Sequence, residues 1–290
     1  MHELSALDAM RAWSRAARVA GHRVALVPTM GALHEGHLRL VDRARDRADR
    51  VVMSIFVNPL QFGPKEDFAK YPRDLERDRA LAASRGVDCL FVPEGRAMYP
   101  QEPLVRIAPG PMGEAHEGAV RPGHFAGVLT VVAKLFHVVE PALAVFGRKD
   151  FQQAMLVRRM AADLDFALEV DIAPTVRELD GLALSSRNAY LKPDERRAAL
   201  ALSRALRAVE QAWRGGSADP RALAAKGLEV LATPGVTAEY FALVDEQLRP
   251  VPRADARSIA VTAARVGTTR LIDNVVLGEG VAADPVAAGA

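Results

Sequence analysis

Five short, nearly continuous apolar runs separated by helix-like stretches fill the first 176 residues, and they constrain the fold more than any other feature of the chain. The runs are RVALVPT at 23–29, RVVMSIFV at 50–57, VDCLFV at 87–92, ALAVFG at 142–147 and LEVDIAPTV at 168–176. Between them, residues 36–48, 73–85, 125–139 and 150–164 read as helices. A strand with polar residues at alternate positions has one wet face, whereas a strand that is apolar throughout is covered on both. Strands of the second kind, alternating with helices, make a parallel sheet with helices on each side. Right-handed crossovers then favour a doubly wound, Rossmann-like α/β sheet.

The pattern changes near residue 177. Residues 193–213 read as a long Ala/Arg helix, with Pro193 at its start and Asp194 and Glu195 in the first turn. GGSADP at 215–220 is a turn, and a second helix runs to about 232. Three strand-like runs follow at 236–244, 258–266 and 269–277, which predicts a small antiparallel sheet. The expected organisation is therefore a Rossmann-like domain over 1–176 and a smaller α+β lid domain over 177–290. Leu4, Leu7, Met10, Trp13 and Ala17 have helical spacing, so residues 4–20 read as an amphipathic first helix rather than a transit peptide. The last ten residues, VAADPVAAGA, carry no pattern and are expected to fray.

Composition excludes several classes. Lys and Arg number 38 against 36 Asp and Glu, a net +2, so no global basic field points to nucleic acid. Apolar residues make up 50% of the chain, too many for a disordered protein, yet no run reaches the roughly 20 residues of a membrane helix. Cys89 is the single cysteine, which rules out an intrachain disulfide and a Cys-rich zinc module. It sits in an apolar strand, the setting of a structural thiol. With no apolar leader at the N-terminus, the expectation is a reduced, cytoplasmic protein.

The segment most suggestive of chemistry is PTMGALHEGH at 28–37, which ends the first long apolar run and opens a helix. In a doubly wound sheet, ligands bind at the carboxyl ends of central strands. Gly31 suits a tight turn, and His34 and His37, three residues apart, share one helix face. Zinc chemistry of the HExxH kind needs a spacing of four, so it fails here. A surface histidine pair without a role remains open. Phosphate oxygens fit better, because the helix N-terminus supplies free N–H groups and the positive end of the helix dipole.

HEGH in this position resembles the HxGH signature of the nucleotidylyl transferase superfamily. The longer string, together with SIFVNPLQF at 54–62, RPGHFAGVLTVVAKLF at 121–136, FGRKDFQQ at 146–153, PTVRELDGLALSSRN at 174–188 and GTTRLIDN at 267–274, is similar to the pantoate–β-alanine ligase family, in that family's order. The resemblance implies ATP-dependent condensation of D-pantoate with β-alanine to pantothenate, AMP and pyrophosphate, through an enzyme-bound pantoyl adenylate. Mg²⁺ is expected with the ATP. The family is usually homodimeric, and neither nucleic acid nor a membrane is implied as a partner.

Each site residue carries an ordinary alternative. By resemblance His34, His37, Lys149 and Arg187 are catalytic, and Lys149 contacts the α-phosphate. Taken alone, Lys149 beside Asp150 reads as a surface ion pair. ATP contacts are implied for Pro28, Thr29, Met30, Gly31, His34, His37, Gly147, Lys149, Asp150, Val176, Leu184, Ser185, Ser186 and Arg187. Taken alone, Ser185–Arg187 reads as a loop. Pantoate contacts are implied for Asn58, Gln61, Gln153 and Met30, with Pro28 and Phe62 beside its gem-dimethyl carbon, a group worth about 1–2 kcal/mol of selectivity. Loop amides are otherwise structural. Asp78 is expected to hold the metal; its alternative is a solvated helix face behind an Asp74 N-cap.

Two departures stand out. Arg148 replaces the family's glutamate and Phe151 its tyrosine. Arg148 reverses a charge next to Lys149, and it matters only if its side chain enters the site. Two rivals to the ligase reading remain. A nucleotidylyl transferase acting on a phosphate acceptor would want more Arg and Lys around Gln61 and Gln153. A non-catalytic nucleotide-binding module would have no need of His34, His37, Lys149 and Arg187 together.

Overall fold

The apolar runs become parallel strands. The structure is a computed structural model that describes residues 1–64, 66–281 and, in backbone, 285–286. Strands β1 (His2–Leu4), β2 (Val24–Thr29), β3 (Arg50–Ile55), β4 (Cys89–Phe91), β5 (Leu143–Gly147) and β6 (Glu169–Ala173) form one sheet in the order β1-β4-β3-β2-β5-β6. Every pair is parallel; Val24 lies opposite Arg50, Ala25 opposite Leu143, and Val52 opposite Cys89. The order reverses between β2 and β5. Chain leaving β2 goes one way across the sheet and chain leaving β5 the other, so their carboxyl ends flank a crevice, the place where such sheets bind ligands.

Helices cover both faces: α1 (Leu7–Val19), α2 (Glu35–Arg45), α3 (Leu75–Ser84), the single turns α4 (Gly95–Met98) and α5 (Glu117–Val120), then α6 (His124–Val139) and α7 (Phe151–Asp163). On one face Ala25, Val27, Val51, Met53 and Leu90 pack against Leu40, Val41 and Ala44 of α2 and Ala82 of α3. On the other, Ser14 of α1 donates to the Val139 carbonyl at the end of α6, and Met10 meets Cys89 at 3.9 Å. Val24–Val27 are all at most 1% exposed, which is why that run shows no alternation.

The chain divides into two units: Met1–Gly147 with Gln152–Ala173, and Arg148–Phe151 with the chain from Pro174 onward. In the second, α8 (Pro193–Arg214) and α9 (Pro220–Leu231) pack on an antiparallel sheet ordered β10-β9-β8, after a short β7 (Arg177–Glu178). Its strands are β8 (Val236–Val244), β9 (Ile259–Val266) and β10 (Thr269–Val276). The core joins Leu202, Leu206 and Val209 of α8 to Leu223, Leu231, Phe241 and Ala264. Helix α8 begins as its sequence predicts: Pro193 is its first residue, and the Glu195 carboxylate accepts the Lys192 N–H at 2.9 Å.

Two expectations shift. The first helix begins at Leu7, not residue 4, because His2–Leu4 pair with Cys89–Phe91 as an edge strand. The expected fraying of 281–290 falls almost wholly outside the described residues, apart from β11 (Pro285–Val286), paired with β7.

Candidate active site

The turn after β2 is built from three constraints. Thr29 Oγ1 donates to the Ser54 carbonyl at 2.7 Å and accepts the Gly31 N–H at 3.2 Å. Gly31 has φ +81°, and a Cβ there would sit 2.9 Å from Asp78 Oδ2 and 3.1 Å from Ile55 Cγ2. Ala32 is also left-handed, φ 51°, a strained state for a residue with a side chain. Asp78 holds it there: its two oxygens accept the Ala32 N–H at 2.9 Å and the Leu33 N–H at 2.7 Å. Arg77, beside it on α3, donates to the Leu33 carbonyl at 2.9 Å.

This answers one reading of Asp78. It is no solvated helix face, being 1% exposed, and its two oxygens brace the loop. Burial pushes its carboxyl pKa upward against the opposing pull of the two N–H bonds. Among the described residues no group of three His, Cys, Asp or Glu side chains is placed to hold a metal. Asp74 is the N-cap of α3, accepting the Arg77 N–H at 3.0 Å.

The braced turn delivers His34 to the N-cap of α2 and His37 to its third residue. Their ring centroids lie 4.0 Å apart with planes 31° from parallel. His37 Nδ1 accepts the His34 backbone N–H at 3.4 Å, which puts the ring proton on Nε2 as a donor. Glu35, between them, is turned away: Arg85 donates to both its oxygens, at 2.6 and 2.7 Å.

Close by in the chain order, Asn58 caps a short turn over Pro59–Gln61. Asn58 is 1% exposed and fully engaged. Its amide donates to Gln61 Oε1 at 3.0 Å and the Gly127 carbonyl at 3.1 Å, while its oxygen accepts from Tyr99 Oη at 3.0 Å and Leu60 N at 3.3 Å. Its bond to Oε1 holds Gln61 in place. Gln61 Nε2 in turn meets Met30 Sδ at 3.2 Å, so the expected pantoate residues Gln61 and Met30 do come together. Gly127 is a close-approach glycine: a Cβ would lie 2.2 Å from the Leu60 carbonyl oxygen.

The Gln61 backbone is gripped as well. His124 Nδ1 donates to its carbonyl at 2.8 Å, and Arg121 donates to His124 Nε2 at 2.9 Å and to both Glu66 oxygens at 2.6 Å. Burial, helped by the neighbouring Arg121 charge, lowers the His124 pKa to about 4, so the ring is neutral. Gln153 is half-buried on α7; the buried neighbour Gln152 is structural, donating to the carbonyls of Met112 and Ala115.

Pro28, on β2, Phe62 and Gly147, the last residue of β5, belong to the first unit, and the remaining predicted residues to the second. Lys149 Nζ lies 3.6 Å from Asp150 Oδ1. Leu184 N donates to the Val176 carbonyl at 3.0 Å, and Ser185 caps the turn carrying Ser186 and Arg187, accepting the Arg187 N–H at 3.3 Å. Lys149 and Ser185 line one narrow cleft with Asn188, Ser203 and Asp273. Arg148 points elsewhere: it pairs with Glu279, which neutralises the charge that departs from the family pattern. Phe151 is 5% exposed and packs as a core aromatic.

Sequence reasoning passed over one group here. Arg177 donates to both oxygens of Asp273, at 2.6 and 2.8 Å, with each side chain 3% exposed. Burial opposes the Arg177 charge, but the carboxylate outweighs it and holds the pKa above its usual value. The two residues lie in PTVRE and LIDN, strings quoted for resemblance alone; an isolated Arg and Asp 96 positions apart carry no signal of pairing.

The model of the pantoate-beta-alanine ligase family matches residues 2–276. A pantothenate synthetase of Moorella thermoacetica is 50% identical over 279 residues, 96% of this chain and 99% of that one. The crystal structure of pantothenate synthetase from Thermus thermophilus superposes with a TM-score of 0.90 at 48% identity, covering 96% of this chain and 99% of the other. A pantoate-beta-alanine ligase from Francisella tularensis, complexed with beta-gamma ATP and beta-alanine, gives a TM-score of 0.79 at 31% identity over 97% of this chain and all of that one. With the braced HEGH turn at the sheet's reversal point and these matches along nearly the full chain, the protein belongs to the pantoate–β-alanine ligase family.

Proposed function

We propose that this chain joins pantoate to β-alanine, using ATP, to make pantothenate, AMP and pyrophosphate. The observation that carries the reading is the pairing of an HxGH helix N-terminus with Gln61 and Met30 in a chain that matches its family from residue 2 to 276. In the first step a pantoate carboxylate oxygen attacks the α-phosphorus, and the bridging oxygen leaves with pyrophosphate. In the second the β-alanine amine attacks the acyl carbon of the adenylate; the bond to the phosphate oxygen breaks, AMP leaves, and the amine sheds a proton to solvent. No covalent enzyme intermediate is needed, so positioning and charge stabilisation do the catalysis.

The residues divide the work by chemistry. His34 and His37 donate to phosphate oxygens, supported by the free N–H groups opening α2. Lys149 and Arg187 neutralise charge that grows on the phosphoryl oxygens, with Ser185 and Ser186 as neutral donors. Gly147, Asp150, Val176 and Leu184 take the nucleoside. Gln61 and Gln153 read the hydroxyls and carboxylate of pantoate, beside the apolar surface of Pro28, Met30 and Phe62. Magnesium enters with ATP on its phosphate oxygens, in keeping with a metal that retains waters and binds through substrate phosphates. The committed oxygens of Asp78 do not recommend it as the ligand. The chain acts as a homodimer in the cytoplasm; no described helix is long and apolar enough to cross a membrane.

The test is pyrophosphate release from ATP and Mg²⁺ with D-pantoate, with and without β-alanine. The expected result is a stoichiometric burst with pantoate alone, then sustained AMP formation once β-alanine is added. Absence of pantoate-dependent pyrophosphate while ATP still binds would refute the reading.

A further inference from the structure

Asn274 closes the LIDN string on β10, and its side chain reaches back 125 positions. Its Nδ2 donates to the carbonyl of Arg148 at 2.9 Å and to that of Lys149 at 3.0 Å. These two bonds tie the segment after β5 to the second unit, with which Arg148–Phe151 are grouped. The amide can point only one way, since reversing it would set Oδ1 against two carbonyl oxygens. In that orientation Oδ1 is buried without a hydrogen-bond partner among the described residues. An amide that leaves its acceptor unsatisfied while spending both donors on one dipeptide is kept for those donors.

The residues around it fix the amide in turn. Asp273 Oδ1 accepts the Asn274 N–H at 2.8 Å, and Arg177 Nη2 donates to the Asn274 carbonyl at 3.2 Å. The Arg177–Asp273 pair is bidentate and buried, and Arg177 Nη1 also donates to the Gly181 carbonyl at 3.2 Å, four residues before Ser185. Buried ion pairs of this kind contribute little net stability; this one holds both side chains in a bidentate geometry. Lys149 and Asp273 line the same cleft.

We infer that Asn274, anchored by the Arg177–Asp273 pair, is a positioning residue for Lys149, fixing its backbone so that its ammonium group meets the phosphoryl charge at a set point. The inference rests on the role given to Lys149 above. The two bonds hold the carbonyls of Arg148 and Lys149, so loosening them moves the root of the charged group. Misplacement by about 1 Å of a group that acts in a transition state lowers rates about 100-fold.

The experiment compares Asn274→Ala in the wild-type and Lys149→Ala backgrounds, by single-turnover formation of pantoyl adenylate and by reaction of preformed adenylate with β-alanine. In the wild type, Asn274→Ala is expected to slow adenylate formation about 10- to 100-fold and the second step less than about threefold. In the Lys149→Ala background it should remove less than about twofold more, because the group it positions is gone. Asn274→Ser, which keeps one donor, should give an intermediate loss and carries the same comparison should the alanine variant fail to fold. Equal losses in both backgrounds, or equal slowing of both half-reactions, would overturn the inference while leaving Lys149 in its role. A wild-type rate of adenylate formation in Lys149→Ala alone would remove the role of Lys149 and the inference with it.

Discussion

Gly127→Ala should separate pantoate recognition from ATP recognition. Helix α6 passes the Pro59–Gln61 turn so closely that a Cβ at 127 would lie 2.2 Å from the Leu60 carbonyl oxygen, 2.5 Å from its carbon and 2.7 Å from Gln61 N. Non-bonded heavy atoms sit comfortably at about 3.5 Å, so the turn has to retreat by about 1 Å. Both sides of the contact are main chain, so no rotamer change can absorb it. Retreat stretches the 3.1 Å bond from Asn58 to the Gly127 carbonyl and, through Asn58, displaces Gln61. Overpacking of this sort destabilises by about 1–3 kcal/mol, which a domain of ordinary stability survives. A displacement of about 1 Å in a substrate-holding group costs about 100-fold in rate. Pyrophosphate release at varied pantoate and saturating ATP should therefore show kcat/KM for pantoate about 100-fold down, while kcat/KM for ATP at the highest attainable pantoate falls much less. Thermal melts check that the variant is folded. Wild-type kcat/KM for pantoate, or equal losses for both substrates, would refute the reasoning.

Asp78→Ala leaves one buried and one half-buried backbone donor unpaired and should destabilise by about 1–3 kcal/mol in urea titrations, chiefly through the buried Leu33 N–H; in Asp78→Asn, the Mg²⁺ concentration for half-maximal activity should stay at its wild-type value, and a large rise would point to a metal role. His124 is depressed from 6.5 to about 4 by burial. Between those values the unfolded state binds the proton and the folded state does not, so the contribution is full above pH 6.5 and is lost as pH falls through about 4. Urea unfolding from pH 7 to 4 should show a loss of about 3 kcal/mol from this group, and His124→Asn should flatten that slope. Arg148→Glu sets a second carboxylate beside Glu279, and should lower the melting temperature slightly, by at most about 1 kcal/mol of stability for so exposed a pair; combining it with Glu279→Arg should restore the melt, and failure to do so would show that the pairing contributes nothing.

The parallel sheet was legible because burial on both faces removes polar residues from whole strands, as in Val24–Val27. The turns at Gly31 and Ser185 were legible from resemblance and from turn chemistry. Strand β1 was not: three residues, two of them polar, on a sheet edge have too little burial to leave a periodic trace. The polar brackets were equally hidden. Asp78 reaches amides 45 and 46 positions away, and Asn274 reaches carbonyls 125 and 126 away. Such pairings have no period, and one partner in each is main chain, whose donors and acceptors are the same for almost every residue type. The residues suggested a metal ligand at Asp78 and a substrate contact at Asn58, and gave no sign of the bracing bonds that both side chains make.

The grip of Asp78 on the turn has a consequence for variation. It reads N–H groups, which almost any residue supplies, and so is blind to the side chains at 32 and 33. The shape of the turn is encoded on α3, while the half-buried side chain at position 32 takes no part in the bracing bonds. The support beneath the turn therefore does not depend on which side chain position 32 carries. The two N–H bonds exclude proline, which has no N–H to offer, and the left-handed backbone at Ala32 disfavours β-branched side chains as well.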